Sequence, residues 1–135
     1  MKLEGGCYCG ALRYSFEGDA IYQGQCHCRE CQYITGGHPN TVFGLPAAAF
    51  QYTKGAPQKF TRTDLPAPVT REFCGTCGTH ICGRPQQAPI VNLKVGTLDD
   101  PSIFGTVQFA IYVKDKQPFH HLPDGAMSFE AAPPR

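Results

Sequence analysis

Residues 11–17 alternate strictly, with Leu12, Tyr14 and Phe16 on one side and Arg13, Ser15 and Glu17 on the other. Period two marks a strand with one face in a core and one in water. A second strand is expected over 21–25, with Gly18-Asp19 as the turn between them. Residues 26–36 predict a turn and then a short helix, ended by Gly36-Gly37. Further strands are expected at 41–43, 50–53, 60–63, 70–73, 79–82, 90–95 and 109–113, with one helical turn at 46–49. The tail from Ala126 reads as irregular cover, frayed at Pro133, Pro134 and Arg135. No linker, repeat or low-complexity segment divides the chain, so 1–135 is expected to form one domain. The pattern as a whole is all-β: short strands with a short helix or turns.

Composition sharpens this. With 15 Gly and 12 Pro in 135 residues, turns are favoured over long helices. The net charge is +1, from 12 basic and 11 acidic residues, and no basic run is present. That argues against nucleic acid and against an anionic membrane surface as partners. No stretch has the length and apolarity of a bilayer span or an export signal, so a cytoplasmic location is expected. An exposed edge strand leaves a homo-oligomer open.

The chemistry lies in the eight cysteines. Seven fall into three clusters: Cys7 and Cys9; Cys26, Cys28 and Cys31; Cys74 and Cys77. An even count also suits a disulfide framework. In a reducing compartment, however, clustered thiols are metal ligands, and two cysteines one residue apart along a strand point the same way and pair poorly with each other. CxxC at 74–77, followed by Gly78, is a metal knuckle. Joined to Cys7 and Cys9, it supplies four thiolates, enough to close one tetrahedral zinc site and tie the N-terminal strand to the middle of the chain. Cys26, Cys28 and Cys31 supply three, which leaves a fourth position for chemistry. The competing arrangement closes this second site with His27, His38, His80 or Cys82. His27 itself reads as a partner behind the ligands, a general base or a solvent-facing spacer. Cys82 reads as a buried small hydrophobe, a ligand or a redox thiol.

The chain resembles the glutathione-dependent formaldehyde-activating enzyme family, also called Gfa-like or centromere-protein-V-like. The resemblance is carried, in order, by GGCYCGALRYSFEG (5–18), CHCRECQYITGG (26–37), FGLPAAAFQYTKGAPQKF (43–60), REFCGTCGTHI (71–81), VGTLDDP (95–101) and YVKDKQPFHHLPDG (112–125). It implies a β-tent of curved antiparallel sheets stapled by zinc, similar to methionine sulfoxide reductase B. It implies two zinc ions per chain: a structural one on Cys7, Cys9, Cys74 and Cys77, and a second on Cys26, Cys28 and Cys31 as the catalytic centre. The implied activity is that of a carbon–sulfur lyase joining glutathione to formaldehyde, so the expected partners are a small-molecule thiol and an aldehyde. Tyr33, Thr35 and Arg84 are candidates for holding the glutathione carboxylate or peptide groups. Two positions depart from the family's pattern: Ala110, where a His is common, and the stretch Gly37-His38-Pro39-Asn40.

Two other functions compete. A redox enzyme of the sulfoxide-reductase type would need Cys82 as its reactive thiol. A non-catalytic module or thiol carrier would have both zincs structural.

Overall fold

The computed structural model describes residues 1–132. Pro133, Pro134 and Arg135, expected to fray, lie outside them. Strands β1 (Lys2–Gly6), β2 (Arg13–Glu17) and β5 (Phe50–Lys54) form a small antiparallel sheet in the order β1-β2-β5. The large sheet contains β3 (Tyr22–Cys26), β4 (Asn40–Pro46), β6 (Gln58–Phe60), β7 (Val69–Phe73), β8 (His80–Pro85), β9 (Ile90–Lys94), β10 (Phe109–Ile111) and β11 (Met127–Ser128). Its order is β11-β10-β3-β4-β9-β8-β7-β6. Among the described residues the one α-helix, α1 (Arg29–Thr35), lies between β3 and β4. The class is mainly β with open sheets, as the alternation predicts.

The core forms where the inner faces of the sheets meet. The small sheet gives Leu3, Tyr14, Phe16 and Phe50, and the large sheet gives Phe43, Leu45, Ile81, Val91 and Leu93. Each is 6% exposed or less, and burying such a side chain stabilises by about 1.5–3 kcal/mol. Gly5 is forced by this approach: a Cβ there would lie 2.3 Å from the Thr97 carbonyl oxygen and 2.4 Å from the Tyr14 hydroxyl.

Several local expectations are corrected. The turn at Gly18-Asp19 makes no hairpin: β2 pairs with β1 and β5, while β3 pairs with β4 and β10. A Gly-Asp pair reverses the chain without saying which strand comes alongside. The strand expected at 60–63 is β6, over Gln58–Phe60, because its partners are Phe73, Glu72 and Arg71. Cys7 and Cys9 follow β1 in a turn rather than lying in a strand. Strand β10 stops at Ile111 because Tyr112 turns left-handed (φ 53°) and donates its N–H to Ala131. The tail is not all irregular cover, since β11 lies within it, and β10 pairs in parallel with both β3 and β11, so the large sheet is not wholly antiparallel.

Candidate metal centres

The first thiol set is assembled from two distant segments. The turn after β1 brings Cys7 and Cys9, and the tight turn from β7 to β8 brings Cys74 and Cys77. Gly78, at φ 78°, lets the chain reverse after the second ligand, and its N–H donates to the Cys74 carbonyl. The Cys7 and Cys9 sulfurs are 3.6 Å apart, and those of Cys9 and Cys74 are 3.8 Å apart. Four thiolates about 2.3 Å from a zinc ion lie about 3.8 Å from one another, whereas a disulfide holds its sulfurs at about 2.0 Å. The spacing fits a metal. The sulfurs also collect donors that suit thiolates: Leu12 N–H to Cys7 at 3.1 Å, Thr76 N–H to Cys74 at 3.4 Å, and the Thr79 hydroxyl to Cys77 at 3.2 Å. The Thr79 contact is the main cause that holds the Cys77 thiol down to about 5.

The second set comes from one continuous segment. Cys26 ends β3, Cys28 caps α1, and Cys31 sits in its first turns. All three sulfurs lie within 4.8 Å of one another. The Cys31 N–H donates to the Cys28 sulfur at 3.4 Å, as a helix cap does. Hydrogen bonds from Cys26 and then Cys31 hold the Cys28 thiol low, while Cys26 is pushed up, chiefly by Cys28 and Cys31. Three thiols in contact confine charge to one member unless a cation shares it, so the donor set suits a metal. Among the described residues no fourth Cys, His, Asp or Glu joins them.

The proposed fourth ligands lie elsewhere. His27 is fully buried, so it is no solvent-facing spacer. Its Nε2 shares a hydrogen bond with Gln25 Oε1 at 3.1 Å, and its ring packs edge-on to His120 at 5.3 Å. Burial, then the neighbouring His120, lowers its pKa. His38 turns its Nδ1 to the Pro39 carbonyl at 2.7 Å, and His80 stacks beside Phe73 at 5.4 Å. Cys82 is 1% exposed. Burial first, then the adjacent Glu72 charge, pushes its thiol up to about 12, which suits a packing residue and not a redox nucleophile.

Cavities flank α1 on two sides. One, of about 600 Å³, is lined by Arg29, Gln32, Tyr33, Gly36, Gly37, Gln117 and Phe119. The other, of about 280 Å³, lies between α1 and the β6–β7 hairpin and includes Glu30, Tyr33, Phe60, Arg62 and Arg71. Tyr33 lines both, 77% exposed, with the Arg29 guanidinium 5.0 Å from its ring centre. Thr35 gives its hydroxyl to the His38 carbonyl. Arg84 pairs with Glu72 at 2.7 Å in a buried network with Tyr52. Burial drives Glu72 upward, but the Tyr52 and Arg84 hydrogen bonds outweigh it and leave its pKa below the ordinary carboxylate value.

Two polar residues beside the thiols have no motif to announce them. Asn40 Nδ2 donates to Cys31 at 3.6 Å, and Lys94 Nζ donates to Asn40 Oδ1 at 2.5 Å. Burial pulls the Lys94 ammonium down to about 8. The position of Asn40 in the stretch departing from the family's pattern is the signal that marks it.

A family model described as glutathione-dependent formaldehyde-activating enzyme matches residues 2–115, a span that contains both thiol sets. The chain belongs to this family. A formaldehyde-activating relative, provisionally so named, occurs in Emericella nidulans. It is 29% identical over 80 residues, which cover 58% of this chain and 40% of that protein, so the chain spans well under two thirds of that relative's length. A Rhodobacter sphaeroides protein of known crystal structure shares the fold, with a TM-score of 0.60 at 21% identity over 79% of this chain and 97% of that one. For a glutathione-dependent formaldehyde-activating family member, thiol sets of four and three are a donor chemistry that soft divalent zinc satisfies. Among the described residues no helix is long and apolar enough to cross a membrane.

Proposed function

We propose that this chain is a zinc-dependent carbon–sulfur lyase that joins the thiol of glutathione to formaldehyde or a related aldehyde. Cys7, Cys9, Cys74 and Cys77 hold a structural zinc, and Cys26, Cys28 and Cys31 hold the catalytic one. The observation that carries the proposal is a three-thiol set, half-buried at Cys26 and Cys28 and buried at Cys31, with no fourth protein donor among the described residues; cavities flank the helix that carries Cys31. A zinc ion there supplies Lewis acidity that lowers the pKa of a thiol reaching its fourth position. The chain's own part is to hold and orient. Tyr33 and Arg29 offer a ring face and a guanidinium to a peptide with carboxylates, and Arg71, 12% exposed and 3.9 Å from Glu30, offers a second cation. Thr35 and Arg84, whose polar groups are engaged by His38 and Glu72, line neither cavity.

Native mass spectrometry with and without millimolar glutathione tests this. The expected spectrum shows two zincs per chain, with glutathione added to the wild type and absent from Cys28→Ser. Two zincs indifferent to glutathione would point instead to a non-catalytic zinc-binding module.

A further inference from the structure

In a pleated sheet, in-register partners leave on the same side. Cys26 pairs with Asn40, Gly24 with Val42, and Val42 with Lys94. Cys26, Asn40 and Lys94 therefore leave one face of the large sheet, opposite to the row of Phe43, Leu93 and Cys82 that enters the core. Asn40 is 7% exposed and oriented from both ends: its amide NH2 faces the Cys31 sulfur and its oxygen accepts from Lys94. Among the described residues Lys94 has this one hydrogen-bond acceptor and no ion pair with a carboxylate, so two of its three N–H donors are unused by the protein. The negative groups that favour its ammonium include the Cys31 and Cys26 thiolates of the three-cysteine set, and the two unused donors are left for an anionic oxygen brought to that set.

We infer that Lys94 is the oxyanion-holding residue of the three-cysteine site. Its ammonium, aimed by Asn40, donates to an anionic oxygen on a molecule whose sulfur or reacting carbon sits at Cys26, Cys28 and Cys31. This rests on the thiol-addition function proposed above. In that addition the thiol S–H bond breaks and a C–S bond forms. The carbonyl π pair moves onto oxygen, and the thiol's proton finishes there. Lys94 holds the oxygen while it is charged and ends unchanged. Fixed donors of this kind are worth about 10²–10³-fold in rate.

The test uses the full chain loaded with cobalt, whose absorption band reports sulfur binding. Mercaptoacetate, a thiol with a carboxylate, is titrated against ethanethiol, which has none. Wild type is expected to prefer mercaptoacetate by about tenfold, the size of one charge-assisted hydrogen bond. Lys94→Met is expected to lose that preference with its ethanethiol titration unchanged, and Lys94→Arg to keep it. Lys94→Gln repeats the measurement if the Met variant fails to hold cobalt. A preference that survives Lys94→Met overturns the inference, as does a loss of the ethanethiol response in both the Met and Arg variants, which would mark a packing position. A wild-type band that answers no thiol at all overturns the thiol-addition function itself.

Discussion

The two thiol sets differ in how far the chain travels to build them. Cys7 and Cys74 are contributed by the ends of strands in different sheets, whereas Cys26, Cys28 and Cys31 lie within six residues of one another. The first set is served mainly by backbone N–H groups and the Thr79 hydroxyl. The second has a side-chain amide on Cys31, a cation one contact further away, and cavities on two sides of its helix. Closing a site across distant segments stabilises a fold. Keeping a site local leaves its surroundings free to serve a ligand.

The sharpest way to break this contrast is to remove one ligand from each set. A structural zinc contributes on the order of 10 kcal/mol of apparent binding energy, comparable with the net stability of a domain. Cys74→Ser is therefore expected to lose its cooperative thermal transition by circular dichroism. Cys28→Ser is expected to melt within about 3 °C of wild type, with zinc by mass falling from two per chain to one. Similar melts for the two variants would erase the distinction.

Next in size is Glu72, whose side chain is 2% exposed, accepts from Tyr52 across the two sheets and pairs with Arg84 on the neighbouring strand. Glu72→Gln leaves Arg84 without its charge partner and is expected to cost about 2 kcal/mol. Because the folded pKa of Glu72 is depressed, its contribution is full above the ordinary carboxylate value and is lost as pH falls through the lowered one. The melting difference between wild type and Glu72→Gln should therefore shrink in acid. A difference that is flat with pH would remove charge from the explanation. The smallest effect belongs to Cys82→Ala, expected to cost about 1 kcal/mol as a small cavity, with two zincs still bound. Loss of a zinc there would make Cys82 a ligand.

Much of this architecture was legible because it is written in short-range pattern. Alternation marked β2 and β9, Gly36 marked the end of α1, and spacing grouped the cysteines. What stayed hidden was pairing. Nothing near Gly18-Asp19 says that β2 and β3 belong to different sheets, because that choice is made by core packing. The departure from the family's pattern drew attention to the stretch holding Asn40, but its partnership with Lys94 was illegible for the same reason: 54 residues separate them, and only the register of β4 on β9 brings them together. His27 looked like a group beside ligands, but its N–H to Ile111 and its ring against His120 turn it inward.

The distance between the cysteines also orders events in time. As the chain leaves the ribosome N-terminus first, the three-thiol set is complete once Cys31 has emerged, while the four-thiol set waits for Cys77. Between those moments the chain offers three thiols to a metal before the segments that close its fold have met. A metal that binds both sets as proposed would meet them in the opposite order to that in which they tie the fold together.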